Sequence, residues 1–134
     1  MLMTLIFCLD EERGIAFGGR RQSRDRELNA DILKDCQGMR LAMSAYSAKL
    51  FDGEDVLVSE IPTADFDAYF LELKSPLDAL PLADRVVIYN WNRLYPSDVR
   101  FSADMSTLGF KLIKTQNVVG YSHEKITKEI YERL

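Results

Sequence analysis

The 134-residue sequence is poor in the residues that build disulfide frameworks and metal sites. It has two cysteines, Cys8 and Cys36, and a single histidine, His123. One cysteine falls in a predicted strand and the other near a predicted helix end, a pattern that suggests neither a disulfide framework nor a thiolate metal site. We therefore expect free thiols and a reduced, cytoplasmic setting.

The sequence also lacks a long apolar segment. The run from Met1 to Leu9 has no basic leader and is followed at once by Asp10, so it is neither a secretion signal nor long enough to span a bilayer. We expect no membrane association. Internal repeats and low-complexity segments are absent from the sequence as well, and its length predicts one domain over residues 1–134.

The sequence also lacks an excess of basic residues. The formal net charge is -4 and the pI is about 5.0, which argues against broad electrostatic coating of nucleic acid. A local basic loop can still bind nucleic acid. The hydrophobic content of 47% and the charged content of 28% are ordinary for a globular protein, so a disordered chain is not expected.

Strand-like and helix-like segments alternate along the chain. The run Thr4–Leu9 has no polar alternation, which is typical of a strand covered on both faces. Further strands are predicted at 39–43, 55–58, 85–89, 110–114 and 118–119, and helices at 27–36, 44–51, 62–73 and 122–134. This order predicts an α/β fold with a mainly parallel or mixed central sheet flanked by helices.

The helix predicted at 122–134 has the best-defined pattern. Ser122 suits its N-cap, and the apolar residues Ile126 and Ile130 repeat at a spacing of four. Because helix N-termini attract anions, Gly120, Ser122 and His123 are candidate ligands of a phosphate. The alternative is that His123 is a solvent-facing residue of the first turn.

An arginine-rich loop follows the first strand and its glycine turn. Five arginines lie between Arg13 and Arg26, and the planar fork of arginine matches phosphate and carboxylate groups. The alternative is a solvated loop whose arginines are neutralised by neighbouring acidic residues. No G-x-G-x-x-G or Walker A pattern supports a specific nucleotide motif. The candidate ligand-binding residues of this loop are Arg20, Arg21, Ser23 and Arg24.

A second polar loop, residues 90–98, follows the strand predicted at 85–89. It contains the only tryptophan, Trp91, together with Arg93 and Tyr95. An aromatic and arginine-containing loop after a core strand can stack a base or another heterocyclic ring. The alternative is that the two aromatic rings pack on the sheet while their polar atoms find partners within the protein.

Several segments match the motifs of one known enzyme family. The first strand ends in Leu9-Asp10 and is followed by Gly14-Ile15, and residues 81–88, Pro-Leu-Ala-Asp-Arg-Val-Val-Ile, are similar to the Pro-Leu-Pro-x-Arg strand of that family. Residues 119–122, Val-Gly-Tyr-Ser, fall where the family has a glycine pair before a helix. The similarity covers about half of the chain and implies a fold resembling a truncated dihydrofolate reductase.

The resemblance also implies functional residues. Glu27 matches the acid that begins the substrate-binding helix, which implies that it acts as a catalytic acid or bonds a ring nitrogen. Residues 43–47, Met-Ser-Ala-Tyr-Ser, match the cofactor segment Met-Gly-Arg-x-Thr and imply cofactor contacts for Ser44 and Ser47. Ala45 replaces the arginine that contacts the cofactor phosphate in the family. The resemblance therefore implies NADPH as a cofactor, and the missing arginine argues against it. As a residue in its own right, Glu27 equally suits a first-turn carboxylate that stabilises its helix.

A second resemblance spans more of the chain. It is to short bacterial proteins that share Arg-Arg-Gln-Ser-Arg-Asp (20–25), Trp-Asn-Arg-x-Tyr-Pro-x-Asp (91–98) and Ser-His-Glu-Lys-Ile-Thr-Lys-Glu (122–129). Some of them carry the label ribonuclease Z, an enzyme with a zinc pair held by several histidines and aspartates. A chain with one histidine is not expected to have that zinc-dependent activity.

These patterns predict a small bacterial protein that binds a small anionic or heterocyclic ligand, such as a nucleotide or a pterin. The ligand would lie between the arginine-rich loop, Glu27 and residues 120–123. One alternative is a nucleic-acid-binding module that uses the same arginines with Trp91 and Tyr95. Another is a regulatory interaction protein without catalysis. Whether the chain is an enzyme, for instance a degenerate reductase, stays open, and the sequence does not indicate an oligomeric state.

Overall fold

Ten strands and two α-helices make up the computed structural model, which describes residues 3–134; Met1 and Leu2 of the apolar N-terminal run lie outside the described residues. The strands are β1 Thr4–Leu9, β2 Gly14–Phe17, β3 Arg20–Arg21, β4 Leu41–Met43, β5 Leu57–Val58, β6 Ala68–Phe70, β7 Arg85–Asn90, β8 Val99–Arg100, β9 Phe110–Val118 and β10 Ile126–Arg133. The helices are α1 Arg26–Asp35 and α2 Ala45–Ala48, with 3₁₀ turns at Lys49–Phe51, Pro76–Asp78 and Leu80–Leu82.

Seven strands form a mixed, mainly parallel sheet in the order β5-β4-β6-β1-β7-β10-β9. The first five are parallel, with Thr4 of β1 between Ala68 of β6 and Arg85 of β7. Strand β10 is antiparallel to both β7 and β9. A second, three-stranded sheet has the order β3-β2-β8. The predicted fold class is confirmed.

Strand β1 is buried on both faces, as its unbroken apolar sequence predicted. On one face Leu5 and Phe7 pack against loop residues that include Phe101 and Met105. On the other face Ile6 belongs to the cluster that α1 covers. The sheet therefore has a helix on one side and mostly loops with 3₁₀ turns on the other.

Helix α1 lies within a residue of the predicted segment 27–36. Its N-cap is Asp25, whose side chain accepts hydrogen bonds from the backbone N–H groups of Glu27 and Leu28. Leu28 and Ile32 are buried against the sheet. Gly38 follows the helix with a φ of 77°, a conformation that favours glycine.

The helix predicted at 62–73 is wrong. Residues Ala68–Phe70 form β6 instead, and Tyr69 and Phe70 are buried on opposite faces of the sheet. The aromatic residues of this segment have helical spacing, but β6 lies between β4 and β1, where both faces of a strand are covered. Burial on both faces removes the alternation that would have distinguished the strand.

The helix predicted at 122–134 is also wrong, because Ile126–Arg133 forms β10. Ile126 and Lys128 are buried on one face of this strand. A spacing of four between apolar residues is a multiple of the strand period of two, so it fits a strand as well as a helix. Ser122 is therefore not an N-cap, and the helix N-terminus proposed to receive a phosphate at residues 120–123 does not exist.

Strand β9 is at one edge of the large sheet and is the longest strand in residues 3–134. Between Phe110 and Val118 all of its residues are exposed, including two lysines, Lys111 and Lys114. Charged side chains on an edge strand discourage pairing with other chains.

Among the described helices, none has the length and apolar character needed to cross a membrane.

Candidate functional site

The carboxyl ends of the parallel strands meet at one edge of the large sheet, which we call the carboxyl edge. Asp10 follows β1, Glu72 lies just beyond β6 and Trp91 follows β7. Because β10 is antiparallel to β7, the loop before it, which contains His123, reaches the same edge. Open α/β sheets bind ligands at this place.

A group of side chains that we call the imidazole cluster occupies one half of this edge. Its members are Ser23, Asp25, Trp91, Tyr95 and His123. Asp25 is buried, and its carboxylate accepts hydrogen bonds from the backbone N–H groups of Tyr121 and Ser122, both at 2.9 Å. One aspartate therefore caps α1 and fixes the loop between β9 and β10.

The pKa of Asp25 is well below its usual value. Burial alone would raise this pKa, but the backbone N–H of Tyr121, the His123 side chain and the backbone N–H of Ser122 bond the ionised form and outweigh the burial. The carboxylate is consequently charged at neutral pH and acts only as a hydrogen-bond acceptor.

Both ring nitrogens of His123 have partners in the imidazole cluster. Asp25 Oδ2 lies 3.0 Å from Nδ1, Ser23 Oγ lies 3.1 Å from Nε2, and Tyr95 Oη lies 2.9 Å from Nε2. The Tyr95 hydroxyl is also 3.3 Å from Ser23 Oγ. His123 is buried, whereas Ser23 and Tyr95 are half-buried, so these two residues are the members of the cluster that reach solvent.

The Trp91 ring fixes the position of the imidazole from one side. It is buried and stacks on His123 with 4.6 Å between ring centres and 33° between ring planes. Trp91 also packs in the core cluster beneath α1. The Trp91 ring is thus packed within the protein, which agrees with the alternative that the aromatic rings of this loop pack on the sheet.

A second group, the arginine cluster, occupies the neighbouring half of the edge and consists of Arg21, Tyr46, Ser47 and Glu72. The Arg21 guanidinium pairs with both Glu72 oxygens, at 2.9 and 3.1 Å. Ser47 donates to Glu72 Oε1 at 2.7 Å, and the Tyr46 ring lies 4.2 Å from the guanidinium carbon. This internal pairing takes up the charge of Arg21.

A cavity of about 10 Å³ separates the two clusters, enough space for about one water molecule. Cys8 and Gln22 are among its lining residues. Burial and the charge of Glu72 raise the pKa of Cys8, so its thiol stays protonated at neutral pH and is a poor nucleophile. Gln22 Oε1 is the one buried side-chain acceptor without a partner among the described residues.

Asp10 connects the loops above the cavity. Its buried carboxylate accepts from the backbone N–H of Gly14 at 2.7 Å, from Gln22 Nε2 at 2.9 Å and from the backbone N–H of Tyr95 at 3.3 Å. A side chain at position 14 would come within 2.8 Å of this carboxylate, which explains the glycine. Asp10 therefore positions the loop that carries Tyr95.

The structure brings together residues from three distant segments that the sequence singled out. Ser23 from 20–25, Trp91 from 91–98 and His123 from 122–129 meet in the imidazole cluster. Ser122 Oγ donates to the carbonyl oxygen of Arg24 at 3.4 Å, and Arg93 Nη2 donates to the carbonyl oxygen of Ser122 at 3.2 Å.

Other candidate residues have structural roles or lie in solvent. Glu27 is exposed in the first turn of α1, so the desolvation needed for its role as an acid is absent. Ser44 is the N-cap of α2 and bonds the backbone N–H of Ser47. Gly120 allows close packing, because a Cβ there would lie 2.7 Å from Asp25 Oδ2. Arg20 and Arg24 are exposed.

The sequence analysis missed the roles of Asp25 and Glu72, and it considered Tyr95 only as a stacking residue of the nucleic-acid alternative. Aspartate before a predicted helix is a good N-cap signal that could have marked Asp25. No local sequence pattern marks Glu72, whose partner Arg21 is 51 residues away.

Among residues 3–134, no group of three or more histidine, cysteine, aspartate or glutamate side chains is arranged to hold a metal ion.

Comparisons with known proteins identify the fold. No protein-family model and no curated protein sequence matches the chain. Among solved structures, it is similar to dihydrofolate reductase from Enterococcus faecalis, determined in complex with NADP(H) and RAB-propyl, with a TM-score of 0.64 and 13% sequence identity. The match covers 98% of this chain and 96% of the reductase. The chain therefore has a dihydrofolate reductase-like fold over almost its whole length.

Proposed function

We propose that the protein binds a small ligand with an anionic group and a heterocyclic ring, such as a nucleotide or a pterin, at the carboxyl edge of its sheet. The observation that carries the proposal is the meeting of Ser23, Tyr95 and His123 at this edge. The hydroxyls of Ser23 and Tyr95, two half-buried residues, offer donors and acceptors at the edge where open α/β sheets bind ligands. The Enterococcus reductase, which has a similar fold, was determined with NADP(H).

Three exposed arginines are the proposed contacts of the anionic group: Arg20, Arg24 and Arg93. Arg93 donates to the loop that contains Ser122, which keeps its guanidinium beside the imidazole cluster. Charge-assisted bonds from arginine to phosphate or carboxylate are strong and directional. Arg21 is left out of this set because its guanidinium pairs with Glu72.

The heterocyclic ring is proposed to lie on the solvent side of Ser23 and Tyr95. The cavity between the two clusters, with about 10 Å³, is too small for a ring. NADPH belongs among the ligands to be tested, but Ala45 at the position of the cofactor arginine argues against it.

The experiment uses Trp91, the only tryptophan of the chain, as a reporter. Its ring contacts His123, so a ligand that bonds the hydroxyl partners of His123 changes the tryptophan emission. The purified protein is titrated with ATP, GTP, a pterin, folate and NADPH, and its melting temperature is measured with each. We expect a saturable emission change and a higher melting temperature with at least one of them.

Two test variants and one matched control locate the site. Arg24→Ala and Arg93→Ala should each weaken binding about tenfold, the loss expected for one charge-assisted contact. Arg40→Ala removes an exposed arginine that pairs with Asp67 before β4, at the opposite end of the strands, and should leave the affinity unchanged. Equal losses in all three variants, or no response to any small molecule, contradict the proposal. Binding of a short RNA that weakens steeply with salt would favour the nucleic-acid alternative instead.

A further inference from the structure

His123 is held between an acid and two hydroxyls. Asp25 Oδ2 is 3.0 Å from Nδ1 on one side of the ring, and Ser23 Oγ is 3.1 Å from Nε2 on the other. A carboxylate, an imidazole and a hydroxyl in this order are the groups that activate a serine nucleophile in unrelated folds.

The surroundings of Asp25 determine which nitrogen of His123 carries the proton. The ionised carboxylate can only accept, so the tautomer that bonds it has its hydrogen on Nδ1. Ser122 Oγ, 3.1 Å from Nδ1, fits this tautomer as a second acceptor because its own hydrogen can be directed at Asp25 Oδ2. Nε2 then has a free lone pair directed at Ser23 and Tyr95. This is the tautomer that a general base needs.

Ser23 and Tyr95 compete for the single lone pair of Nε2. When Ser23 donates to Nε2, the Tyr95 hydroxyl can donate to Ser23 Oγ, which lies 3.3 Å away. When Tyr95 donates to Nε2 at 2.9 Å, Ser23 loses its base. Removal of the Tyr95 hydroxyl should therefore leave Ser23 as the sole hydroxyl partner of Nε2.

The imidazole is also fixed in space. Trp91 stacks on one face of the ring, and the backbone N–H of His123 donates to Asp25 Oδ2 at 3.1 Å. The ring therefore cannot turn without breaking the bond from Nδ1 to Asp25, whereas Ser23 on the other side of the ring is half-buried. Arg24, the next residue in the chain, is exposed and is the proposed partner of the anionic group of a substrate.

We propose that Ser23 is a nucleophile for small carboxylic esters that carry an anionic group, with His123 as its general base and Asp25 as a positioning residue. Ser23 Oγ attacks the carbonyl carbon as its proton passes to His123 Nε2. The bond to the leaving alcohol breaks, and the alcohol takes that proton. Water then attacks the acyl-serine with His123 as base, which releases the carboxylic acid and restores Ser23. The inference uses the site of the proposed ligand binding but does not require any of the ligands tested above.

The test is covalent labelling with an alkyl fluorophosphonate, which forms a P–O bond to an activated serine and releases fluoride. The folded protein and a urea-unfolded sample are treated in parallel, and the modified residue is mapped by mass spectrometry. We expect one adduct, on Ser23, in the folded sample only. No adduct on Ser23, an adduct on Tyr95 instead, or equal labelling of the unfolded chain overturns the inference.

Variants with verified folding identify the role of each group. Ser23→Ala should abolish the adduct, and His123→Asn should slow labelling at least about a hundredfold, the usual contribution of a general base. Tyr95→Phe should label at least as fast as the wild type. Ser106→Ala removes the hydroxyl of a distant turn serine and is the matched control, with unchanged labelling. If the wild-type protein binds one of the tested ligands but forms no adduct on Ser23, the proposed function stands and this inference alone is refuted.

Discussion

Arg21 and Glu72 form a two-point ion pair at the carboxyl edge, with Nε 2.9 Å from Oε2 and Nη2 3.1 Å from Oε1. The side chains are 18% and 8% exposed. Ser47 adds a third bond to the Glu72 carboxylate. This geometry connects strand β3 to the chain beyond β6 and holds the arginine-rich loop against the large sheet.

We expect Arg21→Ala to lower the free energy of unfolding by about 3 kcal/mol, because it leaves the Glu72 carboxylate buried without its cation. Urea denaturation at neutral pH measures the loss. Arg85→Ala is the matched control, since Arg85 and Glu132 form a pair in which both side chains are 47% exposed. That pair should contribute less than about 1 kcal/mol. Equal losses in the two variants would contradict the structural role of the Arg21 pair.

Asp25 should make the protein sensitive to acid. Its pKa in the folded protein is below the usual value of 3.8, so its contribution is present above pH 3.8 and is lost as the pH falls through the folded-state value. Asp25→Asn should cost about 3 kcal/mol at pH 7 and flatten the loss of stability below pH 4. Urea denaturation at several pH values tests both effects. Asp104→Asn, at an exposed turn, should produce a smaller change in each.

Gly120→Ala should disturb the imidazole cluster directly. A Cβ at this position would lie 2.7 Å from Asp25 Oδ2 and closer still to the backbone oxygen of His123. We expect a loss of about 2 kcal/mol and a shift of the His123 ring signals in NMR spectra. Gly53→Ala is the control, because Gly53 has open space around it and a φ of 83°. It should cost about 1 kcal/mol through backbone strain alone and leave the His123 signals in place.

Tyr89 should make the free energy of unfolding decrease at alkaline pH. It is buried and donates to Asp31 Oδ2 at 2.6 Å, and burial followed by this bond raises its pKa far above the usual value. Its contribution is therefore complete well below the pKa of an unfolded tyrosine, about 10, and is lost as the pH rises through and above that value. Tyr89→Phe should lose less stability between pH 9 and pH 11 than the wild type. Tyr121→Phe, at an exposed position, should behave as the wild type does.

The sequence predicted the fold well where local signals agree with the environment. Thr4–Leu9, α1 and Arg85–Asn90 have patterns that fit one structure only, and all three were identified. The pattern of β10 fits two structures, and its buried Lys128 hides the strand alternation. Lys128 is buried because it pairs with Asp31 and Asp35 of α1, a compensation that depends on tertiary contacts.

The candidate site was predicted in its segments but not in its chemistry. The loops that carry Ser23, Trp91 and His123 were each singled out, since polar and aromatic residues after core strands mark a sheet edge. Their arrangement depends on Asp25, whose carboxylate caps a helix and also binds a loop 98 residues away. The sequence does not show that these two segments meet in space. The anion site was placed on a helix N-terminus that does not form, because the spacing of Ile126 and Ile130 fits a helix as well as a strand.

The central position of β1 has a consequence for how the protein is made on the ribosome. Strand β1 pairs with β6 and β7, which are synthesised after it, so it has neither neighbour until much of the chain has been translated. The imidazole cluster needs still later residues, because Asp25 must wait for His123. Such non-local pairing slows folding. A nascent chain thus contains the whole arginine-rich loop long before it contains Glu72, which holds that loop, and His123, which completes the candidate site.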